Sequence, residues 1–145
     1  MEIPIELKNR LLSELNFVIT KISTEEEAKR KIYFLSAAHG AIERTMRFHS
    51  ENELYIIHAV LNLCYNTVTG LLTRLGGGDT AVPLPDNFWE QIIQNLSDLK
   101  TLINEDRPTY PVLERIMRFT YSLTGPGHYT LSYLDYIESL THDET

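Results

Sequence analysis

The side chains best suited to chemistry in this sequence are two histidines, a glutamate and an asparagine: His39, Glu43, His58 and Asn62. Imidazole titrates near neutral pH and ligates transition metals, and a neighbouring carboxylate can share either task. His39 and Glu43 are four residues apart, so one helix would carry them on the same face. His58 and Asn62 repeat that spacing. If the two helices form an antiparallel hairpin turning near Ser50, facing residues have numbers summing to about 100. His39 satisfies that relation with both His58 and Asn62, so the four side chains are expected to converge. Such a set is suited to metal binding, small-ligand binding or acid–base catalysis. Against it stands a plainer expectation, in which each histidine is a core residue bonded to a carbonyl or a neighbour. The uncharged run His58, Asn62, Asn66, Thr69 and Thr73 then forms a solvated face or a polar subunit contact.

A second group is cationic. Glu43-Arg44-Thr45-Met46-Arg47-Phe48 recurs as Glu114-Arg115-Ile116-Met117-Arg118-Phe119. Arg44, Arg47, Arg115 and Arg118 are therefore candidates for a paired anion site, because the planar guanidinium binds phosphate or carboxylate through two parallel bonds. The same spacing suits helix-surface ion pairs, Glu43 with Arg47 and Glu114 with Arg118. Each copy is expected to end the second helix of a three-helix run. The chain could then be a duplicated three-helix unit, with repeats 4–75 and 86–141 joined by a loop at 76–85.

Arg44 and His49 also form an Arg-x4-His pattern. This resembles the motif of the HEPN-type helical RNases. The resemblance implies that Arg44 stabilises charge on an RNA phosphodiester while His49 acts as the acid–base group. Aromatic residues crowd the final third, where Tyr129, Tyr133 and Tyr136 recur at helical spacing. A tyrosine-rich helix face of this kind suits a partner or self-association surface.

These residues need elements to position them, and the boundaries are well signalled. Pro4 opens a first helix to about Ile22, with Ile5, Leu12, Leu15 and Ile19 at helical spacing. Thr24-Glu25-Glu26-Glu27 reads as a capping box for a second helix to about Phe48, whose stripe is Ile32, Leu35, His39, Ile42 and Met46. Ser50-Glu51-Asn52-Glu53 reads as another, for a third helix to about Leu75. Gly76, Gly77 and Gly78 end that helix, since glycine takes left-handed backbone angles cheaply. Asp86 or Asn87 caps a fourth helix carrying Phe88, Ile92, Leu96, Leu99 and Ile103. Pro108 and Pro111 mark the start of a fifth, to about Leu123. Gly125-Pro126-Gly127 precedes a last helix whose inner face is Leu131, Leu134, Ile137 or Tyr136, and Leu140. No β-type alternation appears, so the expectation is all-α: one helical-bundle domain over 1–145, of about six helices.

Composition narrows the functional classes. Hydrophobic residues are 43% of the chain and charged residues 23%, a balance that folds rather than stays disordered. Leu54–Thr73 carries no formal charge, yet its His, Asn and Thr side chains are costly in lipid, so it reads as a central bundle helix and not a membrane span. The only cysteine, Cys64, allows no intrachain disulfide and requires no oxidising compartment, and the expected location is cytoplasmic. The net charge of −7 disfavours generic binding to nucleic acid. There is no His-Glu-x-x-His, no paired Glu-x-x-His and no phosphate loop, so the sequence implies no cofactor. The leading expectation is a non-enzymatic bundle acting through protein–protein contact, as a homo-oligomer or subunit of a complex. The alternatives are a ligand-binding, metal-binding or catalytic bundle built on the His/Glu/Asn patch, and an HEPN-like RNase.

Overall fold

In the computed structural model, residues 3–76 and 87–124 are described. They form five helices: α1 (Ile5–Thr24), α2 (Ala28–Met46), α3 (Asn52–Gly76), α4 (Phe88–Asn104) and α5 (Tyr110–Thr124). No strand occurs among the described residues, and the chain is all-α. The expected sixth helix, with Tyr129, Tyr133 and Tyr136, falls outside the described residues, as does most of the loop expected at 76–85.

Periodicity explains each helix. α1 buries Leu7, Leu11, Leu15, Val18 and Ile22, steps of three and four residues that keep one stripe inward. α4 does the same with Phe88, Ile92, Leu96, Leu99 and Ile103. On α3, two-thirds of the positions from Leu54 to Val68 are buried, which marks it as the innermost helix. α3 packs between α2 and α5, and α1 packs between α2 and α4; α4 and α5 complete a closed circuit. Among the described residues, no helix is long and apolar enough to cross a membrane.

Both expected capping boxes are replaced by other arrangements. Thr24 is still helical, and its hydroxyl donates back to the Thr20 carbonyl at 2.9 Å. The chain then runs extended through Glu25 and Glu27 before α2 starts, so the acidic run is a linker. Ser50 lies two residues before α3, too early to cap it. The Glu53 carboxylate instead accepts a hydrogen bond from the hydroxyl of Thr109, a buried residue directly before α5. The box pattern reads only local spacing, whereas here a tertiary partner on another element took the carboxylate.

α4 ends in a tight, well-bonded turn. The Arg107 N–H reaches the Leu102 carbonyl at 2.9 Å and the Asp106 N–H reaches Ile103 at 3.2 Å, a Schellman pattern. Its left-handed residue is Asp106, at φ 57°, where a glycine would be expected. The two Glu-Arg-x-Met-Arg-Phe copies are placed differently. The first runs off the end of α2, while the second lies within α5 and does not end it.

Candidate functional site

α2 and α3 follow one another through a five-residue turn and pack side by side. Leu35, Ala38, Ile42 and Thr45 are the buried face of α2. His39 is next to that face, half-buried, and Glu43 lies one turn on, at the surface. From α3, His58 comes up opposite them. One potential ligand atom from each of His39, Glu43 and His58 lies within 4.8 Å of the other two.

The two imidazoles stand against each other, ring centroids 4.3 Å apart and tilted by 36°. His58 Nε2 approaches Glu43 Oε1 to 3.5 Å, an ion-pair distance longer than a well-formed hydrogen bond. His39 Nε2 and His58 Nε2 are both buried; His39 Nε2 has no hydrogen-bond partner, and His58 Nε2 has only the long Glu43 contact. A buried ring nitrogen without a partner, such as His39 Nε2, is unusual, because leaving it so costs about 1–3 kcal/mol. Burial pushes the His58 pKa below its ordinary value, the adjacent His39 pushes it the same way, and the Glu43 carboxylate opposes both. The neutral imidazole so favoured is the form that binds a metal.

Exposure is graded across the cluster. The His58 side chain is 16% exposed and that of Glu43 is 58% exposed. The histidines form a floor and the carboxylate a rim. Asn62, one turn beyond His58, accepts a hydrogen bond from the Asn66 amide at 3.2 Å. A contact not anticipated from the sequence is Tyr65, whose ring is nearly parallel to His39 with centroids 6.5 Å apart. The signal was available: positions 58, 62 and 65 follow the three-and-four spacing of one helix face.

The arginines are dispersed. Glu43 faces His58 and makes no ion pair with Arg47 among the described residues. Glu114 does pair with Arg118, at 2.5 Å. Arg115 donates through Nε to buried Asn95 at 2.7 Å and through Nη2 to Asp98 at 2.5 Å, tying α5 to α4. Arg44 and Arg47 are exposed at the end of α2, and α2 and α5 are not neighbours in the helix circuit. No hydrogen bond or ion pair joins Arg44 to His49, whose N–H is bonded to the Thr45 carbonyl. Among the described candidates, His39, Glu43 and His58 share a centre.

Comparison with protein-family models, with curated proteins and with solved structures finds no match for this chain.

Proposed function

We propose that the protein is a helical bundle that binds one divalent transition-metal ion between α2 and α3, through His39, Glu43 and His58. The observation that carries this reading is the convergence of one ligand atom each from His39, Glu43 and His58 within 4.8 Å, in a cluster where the buried His39 Nε2 has no hydrogen-bond partner. Imidazole and carboxylate together suit zinc and its neighbours in the first transition series, and disfavour calcium and magnesium, which take oxygen ligands. Bound donors at about 2.0–2.2 Å from a tetrahedral ion stand roughly 3.3–3.6 Å apart, so side-chain rotation of an ångström or so closes the set. The test is isothermal titration of metal-free protein with zinc. One equivalent should bind, and His58→Ala should weaken it by more than the roughly 10–100-fold that loss of an outer-shell partner costs. Glu43→Gln, at an exposed position that leaves the core untouched, should weaken binding as well. Unchanged zinc affinity in both variants would overturn the reading.

A second reading, protein–protein contact, is supported by an aromatic face on α1 and α2. Phe17 is 49% and Tyr33 68% exposed, and both rings pack edge-on against Phe34 at 5.8 and 5.4 Å. Large aromatics left in water are enriched at the centres of interfaces. Native mass spectrometry tests it: an oligomer that Tyr33→Glu converts to monomer supports self-association, and a wild-type monomer removes it.

A further inference from the structure

We infer that the metal held by His39, Glu43 and His58 keeps one coordination position open to solvent, and that this position takes a small oxygen-donor anion of the carboxylate class. This rests on the metal reading above and adds to it what the site is for: capture of an exchangeable ligand, as opposed to a purely structural clasp.

Ligand number comes first. Among the described residues, no fourth histidine, cysteine, aspartate or glutamate joins the three. Cys64, on the same helix as His58, is wholly buried, and burial pushes its pKa up to about 12. It is not among the groups that converge on the three donors. Structural zinc sites are closed by four protein donors, whereas three protein donors leave a position for water or substrate. Two histidines and a glutamate are such an open set.

Direction comes second. All three donors come from two adjacent helices, so they enclose the ion from one side. The imidazole side is the buried one and the Glu43 side is exposed, so the remaining position points outward past the rim. Water can reach it and so can a small solute.

Charge and shape decide which solute. Two neutral imidazoles and one carboxylate leave a divalent ion with one net positive charge, which favours an anion over a neutral ligand in a half-buried setting. The Tyr65 ring beside His39 offers a flat wall, and the Asn62–Asn66 amide pair continues the same face of α3. Both suit an organic group attached to the anion. Binding is an exchange: the metal–water bond breaks, a metal–oxygen bond to the anion forms, and nothing is oxidised or reduced.

Cobalt(II) substitutes for zinc and reports its coordination by visible absorption. The full chain loaded with one equivalent of cobalt is titrated with acetate, with formate and with the neutral isostere acetamide. The expected result is a saturable change in the cobalt bands with both anions, at concentrations roughly tenfold or more below any response to acetamide. Ultrafiltration should show the cobalt still bound to the protein. Cobalt bands that ignore both anions overturn the open position while leaving metal binding intact, and cobalt lost to the filtrate means that the anion strips the ion, which overturns capture at the bound metal. Equal response to acetamide overturns the preference for anions. No protein-dependent cobalt spectrum at all overturns the metal reading itself, and this inference with it.

Discussion

At the residue scale, His58 couples the candidate site to stability. Its folded-state pKa is below the ordinary 6.5, so the unfolded chain binds a proton there more readily than the native one. Stability from this group is complete above about pH 6.5 and falls as pH drops towards the folded value, because protonation pulls the chain open. Below the folded value the loss levels off. Chemical denaturation of metal-free protein from pH 7.5 to 4.5 should show this slope, and His58→Gln should flatten its upper part. A slope unaltered by that substitution would place the titration elsewhere. The His39 ring, with its centroid 4.3 Å away, adds to the cost of charging His58.

At the element scale, two junctions do the positioning. The five residues between α2 and α3 hold these helices as neighbours, which sets His39 and Glu43 against His58. The turn between α4 and α5 depends on Asp106 in a left-handed conformation. A β-branched residue fits that conformation badly, so Asp106→Val should destabilise the fold by about 1–2 kcal/mol. Asp106→Gly removes the backbone strain but also the 3.1 Å ion pair with Lys8, which is exposed on the aspartate side and worth little. Its stability should therefore match or slightly exceed wild type. Urea denaturation of the two variants checks the pair, and a glycine variant weaker than the valine variant would contradict the backbone argument.

At the scale of the whole molecule, α3 links core and site. Its buried residues run along most of its length while His58, Asn62, Tyr65 and Asn66 remain at intermediate exposure. An ion bound across α2 and α3 stabilises only the folded chain. Zinc at 100 times its dissociation constant should add about 2.7 kcal/mol of stability and raise Tm by several degrees. The rise should disappear on addition of a chelator and be absent in His58→Ala. A wild-type Tm indifferent to zinc would speak against a site formed by folding.

Much of this architecture follows from the sequence alone, because it depends on local repetition. Leucines and isoleucines at steps of three and four fix helices α1 to α5 wherever they fall in the chain, and Pro108 and Pro111 stop and restart them. The approach of His39 to His58 was also legible, since a short turn between two helices forces antiparallel neighbours whose facing positions can be counted. What the sequence left open depends on partners distant in the chain. Thr24 and Ser50 carry the residue types of helix caps, yet Glu53 is taken by Thr109 and Thr24 stays inside α1. The repeated Glu-Arg-x-Met-Arg-Phe segments look equivalent, but Glu43 turns to His58 while Glu114 stays with Arg118. Asn95 gave no sequence signal as the buried acceptor for Arg115. Helix formation is a sum over near neighbours and can be read from spacing; which charge or hydrogen bond finds which partner depends on how the helices dock, and only the tertiary structure decides it.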